Sequence, residues 1–109
     1  MESGALAEGA ATAVEIGGWP VLLARVDGTV HATINRCSHA AAAFLPGGRV
    51  RRGVLMCPAH GARFKAEDGT CIGGTYRALR VFAVREEDGW IDVDVPATPP
   101  GPDEMPVTR

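Results

Sequence analysis

No apolar run in this sequence approaches the ~20 residues that a bilayer-spanning helix requires, so nothing in it reads as a membrane anchor. The first thirteen residues carry Glu2 and Glu8 but no lysine or arginine, and they lack the basic region and apolar core of a secretory leader. Cationic excess is missing as well. Eleven Lys and Arg against thirteen Asp and Glu give a formal net charge of −2, which argues against a nucleic-acid partner. Cysteine is scarce: Cys37, Cys57 and Cys71 are all there is, too few for a disulfide framework. What remains reads as a soluble chain of 109 residues, expected to be a monomer and long enough for one domain whose core holds without disulfides.

The chemistry concentrates in two short stretches. Cys37-Ser38-His39 is a C-x-H pair, and after seventeen intervening residues Cys57-Pro58-Ala59-His60 is a C-x-x-H pair. Each supplies one thiolate and one imidazole from a short length of chain. Together they make a set of two sulfurs and two nitrogens, which suits either zinc or a [2Fe–2S] cluster with mixed ligands. Zinc fingers commonly keep cysteines with cysteines and histidines with histidines. Here each arm is mixed. Two facing loops of this kind would put both thiolates on one metal and both imidazoles on a second, which favours a two-iron cluster. A structural zinc module is the alternative.

Around these motifs, residues 16–95 resemble the Rieske iron–sulfur family. The stretches Asn35-Arg36-Cys37-Ser38-His39 and Cys57-Pro58-Ala59-His60-Gly61-Ala62-Arg63-Phe64 are similar to the small Rieske ferredoxins of bacterial oxygenases. The resemblance implies one [2Fe-2S] cluster held by Cys37, His39, Cys57 and His60. It implies an all-β fold, a Rieske-type sandwich of short antiparallel strands with the two cluster loops at one tip. It also implies a one-electron carrier and not an enzyme in its own right. Its partners would be a flavin-dependent ferredoxin reductase and a terminal oxygenase, of the ring-hydroxylating or a related kind. The small Rieske-type subunit of a reductase complex is a second possibility. Membrane-bound respiratory relatives carry an extra cysteine in each cluster loop, joined as a disulfide. This chain has Ala40 to Ala43 after His39 and Ala59 before His60, which implies a reducing, cytoplasmic setting.

The rest of the chain reads as strands and turns. Residues 1–11 form a loose lead-in, 12–95 the cluster domain, and 96–109 a tail. Strands are expected over Thr12–Ile16, Val21–Val26 and Thr29–Asn35, with a hairpin turn at Asp27-Gly28. Ala40 to Leu45 suggests one helical turn. Arg49 to Met56 reads as one alternating strand leading into Cys57. A hairpin follows around Glu67-Asp68-Gly69, then strands over Leu79–Arg85 and Trp90–Val95. Five of the eight prolines come after Val95, so the tail cannot add ladder hydrogen bonds. Arg36, Arg63 and the group Arg49, Arg51, Arg52 mark either a docking face for an acidic partner or a solvated surface. For the Arg49–Arg52 group the solvated surface is the simpler reading.

Two departures from the family pattern bear on function. High-potential relatives place a serine two residues after the second histidine and a tyrosine two further on. Ala62 and Phe64 stand there and offer no hydroxyl. The expected potential is therefore in the low part of the Rieske range, near ~−150 mV. A Gly-Pro pair that closes over the cluster in most relatives is replaced by Gly73-Gly74, which predicts a more mobile loop.

Overall fold

The computed structural model describes residues 1–38, 41–59, 61–74, 76–101 and 104. Among them are eight strands: β1 (Ala11–Ile16), β2 (Trp19–Val26), β3 (Thr29–Ile34), β4 (Arg49–Arg51), β5 (Val54–Met56), β6 (Arg63–Lys65), β7 (Val81–Glu87) and β8 (Trp90–Asp94). They form two antiparallel sheets, one ordered β1-β2-β3-β7-β8 and a smaller one ordered β4-β5-β6. No described helix exceeds a single 3-10 turn at Ser3–Ala5, and none is long and apolar enough to cross a membrane. The all-β expectation holds.

Strand β2 shows why the large sheet forms where it does. Val21, Leu22, Leu23 and Ala24 are all buried, so this strand is covered on both faces. Burying a Leu side chain contributes about 2 kcal/mol, and two adjacent leucines pointing to opposite faces anchor packing on both sides. Asp27 and Gly28, at φ 50° and 81°, turn β2 into β3. Asp88 and Gly89, at 51° and 80°, turn β7 into β8 in the same way. Both are the two-residue turns whose twist matches flanking strands.

One expected strand is two. Arg49 to Met56 folds as the hairpin β4-β5, with Arg51 opposite Val54 and Val50 opposite Leu55. Arg52 and Gly53, at φ 51° and 77°, make the turn. Glycine adopts that backbone without a Cβ clash, which is the signal that the alternating pattern obscured. The helical turn expected over Ala40 to Leu45 is also absent among the described residues, where 41–45 form bends and loop. The reason lies in the site and is given below.

Residues 1–11, read as a loose lead-in, are bonded to the sheet. Met1 and Ile91 exchange both backbone hydrogen bonds, at 3.1 and 2.7 Å, and Ser3 N–H donates to Gly89 at 2.8 Å. This covers the outer edge of β8, which would otherwise present unpaired backbone. Leu6 is buried, and the Glu8 carboxylate accepts the Asp27 and Gly28 amides of the first hairpin turn. At the other end, the Trp19 indole N–H donates to the Thr98 carbonyl at 2.9 Å, and Arg80 reaches Glu104. The described part of the proline-rich segment thus lies across the large sheet.

Candidate metal centre

The two cysteines of the paired motif sit at equivalent places. Cys37 follows β3 and Cys57 directly follows β5. Neither is in a disulfide, and they are 0% and 1% exposed. Each closes its loop in the same way: Cys37 N–H donates to Ala42 C=O and Cys57 N–H to Ala62 C=O, both at 2.8 Å and both five positions on. Seven positions beyond each cysteine stands a fully buried phenylalanine, Phe44 and Phe64. Their rings meet edge to face, with centroids 5.6 Å apart at 75°. The two loops therefore repeat one local structure at an offset of twenty residues, and the ring pair joins the repeats. Edge-to-face aromatic pairs add about 0.5–1.5 kcal/mol beyond their buried area.

Asn35 explains why the first loop is not helical. It directly follows β3, is 6% exposed, and lies two residues before Cys37. Its side-chain Oδ1 accepts the Phe44 and Leu45 amides, each at 3.0 Å, and its Nδ2 donates to Leu45 C=O at 2.8 Å. Those amides are taken from any helical pattern and clamped to the strand end. A buried asparagine with three good bonds sets a loop more rigidly than a helix terminus would. The sequence marks Asn35 only as a polar residue closing an apolar strand. Nothing in it points to a partner ten residues away.

The second loop is set by close approach. Gly48 N–H donates to Phe44 C=O at 2.8 Å, and a Cβ on Gly48 would run into the Met56 and Phe44 carbonyl oxygens. The first loop thereby rests on the strand end that leads to Cys57. Gly61, at φ 73°, turns the chain back and donates its N–H to Cys57 C=O at 2.9 Å. A third loop, carrying Gly73-Gly74, is tied to the first by the Ser38 hydroxyl, which donates to Arg77 C=O at 2.6 Å.

His39 and His60 lie outside the described residues, so the structure places two of the four candidate ligands. Cys71 is accounted for elsewhere: it faces Phe64 across the β6 hairpin, and its thiol contacts Ile72 C=O. The donor chemistry that is visible fits a Rieske-type group. Two thiols with almost no exposure stand at matching points of two matched loops, and each loop carries a histidine two or three residues later. An apolar surround of this kind restricts solvent at a metal centre.

Comparison with known proteins agrees with this geometry. The family profile described as the Rieske [2Fe-2S] domain matches residues 1–83. The ferredoxin component of the alkene monooxygenase system of Xanthobacter autotrophicus is 32% identical over 75 residues, covering 69% of this chain. That match spans 62% of the relative's length. Among solved structures, the ferredoxin of carbazole 1,9a-dioxygenase from Nocardioides aromaticivorans IC177 superposes with a TM-score of 0.76 at 27% identity. It covers 85% of this chain and 91% of that one. A complex of reduced oxygenase and oxidized ferredoxin in carbazole 1,9a-dioxygenase matches with a TM-score of 0.75 at 26% identity, over 84% of this chain and 86% of that chain.

Proposed function

We propose that this chain, which belongs to the Rieske [2Fe-2S] domain family, is the electron carrier of an oxygenase system. It takes one electron from a flavin-dependent ferredoxin reductase and delivers it to a terminal oxygenase, with no catalysis of its own. The observation that carries this reading is the pair of buried cysteines in matched loops. Support for the oxygenase context comes from the relatives, which are described as ferredoxins of a monooxygenase and of a dioxygenase. A further similar structure is a complex of reduced oxygenase and oxidized ferredoxin in carbazole 1,9a-dioxygenase.

In this reading Cys37 and Cys57 bind as thiolates, and His39 and His60 bind through one ring nitrogen each. When bound, the [2Fe-2S] cluster of this family supplies reversible uptake of a single electron. The chain's own residues do the rest. Asn35 and Gly48 hold the loops that present the ligands, and the Phe44–Phe64 pair excludes water beneath them. The ring N–H that each coordinated imidazole would keep is the route for the electron in this reading. Two neutral imidazoles in place of two thiolates reduce the negative charge of the site, which raises its potential above that of four-cysteine clusters. Cysteines outside any disulfide suit a cytoplasmic, reducing setting.

The test is reconstitution. NADH, a flavin-dependent reductase and a ring-hydroxylating oxygenase are combined with and without this chain. Product formation that requires the chain, and that His60→Ala abolishes, supports the carrier role. Equal turnover in its absence contradicts it.

A further inference from the structure

The net charge of −2 conceals a strong separation. Residues 28–66, which contain both ligand loops, hold no aspartate or glutamate at all. Arg36, Arg49, Arg51, Arg52, Arg63 and Lys65 all fall within them. The carboxylates lie outside that stretch, many of them on β7 and β8 and the turn between.

Strand register collects four of the cations on one face. Arg49 stands opposite Met56, and Met56 opposite Arg63; Arg51 stands opposite Val54, and Val54 opposite Lys65. Directly paired residues project to the same side of a sheet. The inner side of β4-β5-β6 therefore carries Val50, Leu55 and Phe64, and the outer side carries the four cations around Met56 and Val54. All four are exposed, and Met56 is 37% exposed.

Three cations elsewhere in the molecule have carboxylate neighbours. Arg25 pairs with Glu86, Arg80 with Glu104, and Arg85 approaches Asp92. Arg49, Arg51 and Arg63 form no ion pair among the described residues. Lys65 is within electrostatic reach of Asp68, at the far end of the hairpin from Cys57. Like charges gathered across neighbouring strands repel, which costs stability without any internal compensation. Beside the same face a hollow of about 240 Å³ is lined by Arg49, Met56, Cys57 and Pro58 among others. The charged face thus continues to the flank of one cluster ligand.

Resting on the electron-carrier reading, we infer that the outer face of β4-β5-β6 docks the acidic surface of a redox partner protein, seated on Met56 and Arg49 beside Cys57. Arginine forks recognise carboxylates in two-point geometry, and an exposed methionine gives an adaptable apolar contact at the centre. Steering by such a face raises association rates by about 10–10³-fold and fades with salt.

The experiment reads the reduced holoprotein in stopped flow, with the visible spectrum first confirming an intact cluster. A colourless protein is a failure of the carrier reading and is recognised before the docking test begins. The oxidant is hexacyanoferrate(III), a small anion, between about 10 mM and about 1 M salt, where the screening length falls from ~30 to ~3 Å. The inference predicts a rate that falls about tenfold or more with salt, in spite of the negative net charge. It also predicts that poly-L-glutamate slows the reaction at low salt. Arg49→Glu with Arg63→Glu abolishes both effects, as does Arg51→Glu with Lys65→Glu should the first pair fail to hold its cluster. A rate that rises with salt, as a net −2 alone dictates, overturns the inference. So does an unchanged response in the charge-reversed variants. Inhibition by a DNA oligonucleotide but not by poly-L-glutamate also overturns it, because the face would then bind phosphate and not a protein carboxylate surface.

Discussion

Asn35 grips the peptide groups of Leu45 from both sides, accepting its N–H at 3.0 Å and donating to its C=O at 2.8 Å. With the third bond to the Phe44 amide, one buried side chain fixes the far end of the first ligand loop. Asn35→Ala leaves those groups without their partners, the Phe44 amide fully buried and the two Leu45 groups partly so. A buried unsatisfied group costs about 1–3 kcal/mol; with the Phe44 amide bearing that cost and the half-buried Leu45 groups a fraction of it, a loss of roughly 2–4 kcal/mol is expected. Urea unfolding of the apoprotein measures it directly. Iron content of the purified variant should fall as well.

Gly47 and Gly48 are neighbours with different reasons to be glycine. Gly47 has φ 106° and open space where a Cβ would stand, whereas a Cβ on Gly48 meets two carbonyl oxygens. Gly47→Ala should cost about 1–2 kcal/mol, the strain of a left-handed backbone. Gly48→Ala should cost more, because Phe44 in the first ligand loop and Met56 at the strand end before Cys57 must separate. Paired denaturant melts give the order; the reverse order contradicts the packing described.

The contrast between those two glycines shows what the sequence discloses. Alternation over Thr29 to Asn35 disclosed β3, and the paired Cys/His spacing disclosed the loops that follow β3 and β5. The β4-β5 hairpin stayed hidden for a geometric reason. A two-residue turn pairs Arg51 with Val54, so the parity of inward residues flips across it. Val50 points in, but Val54 and Met56 point out, while a single strand would put all three on one side. Asn35 was legible as a residue of the motif and illegible as a clamp, since its partners are set by tertiary contact. The close approach at Gly48 is invisible for the same reason. The apolar alanine run suggested a helical turn because propensity carries no information about amides already claimed by a side chain.

Acid should weaken the large sheet through Glu86. The Arg25 guanidinium, bonded to it at 2.6 and 3.1 Å, holds its carboxyl below the ordinary value of 4.5. A carboxylate depressed in the folded state binds protons more readily when unfolded. Its contribution is therefore present above the ordinary value and is lost as pH falls through the lowered one. Asp68, held low chiefly by the Thr70 amide, acts in the same sense. Stability measured between about pH 6 and pH 3 should decline more steeply for the parent than for Glu86→Gln. Identical slopes would remove Glu86 from the account.

The residues beyond His60 set the expected potential. Ala62 is partly buried and Phe64 fully so, and neither offers a hydrogen-bond donor. A midpoint near ~−150 mV is expected. Phe64→Tyr supplies a hydroxyl; a hydrogen bond strengthened by roughly 1.4 kcal/mol on reduction corresponds to a rise of about 60 mV for a one-electron couple. A redox titration of both proteins tests this, and a parent midpoint well above zero contradicts it.

Metal and sulfide analysis of the protein purified under air bears most directly on the whole account. Two matched loops presenting Cys37, His39, Cys57 and His60 should hold about two irons and two acid-labile sulfides per chain, with a red-brown colour that His39→Ala or His60→Ala removes. A colourless protein carrying a single zinc and no sulfide would contradict it.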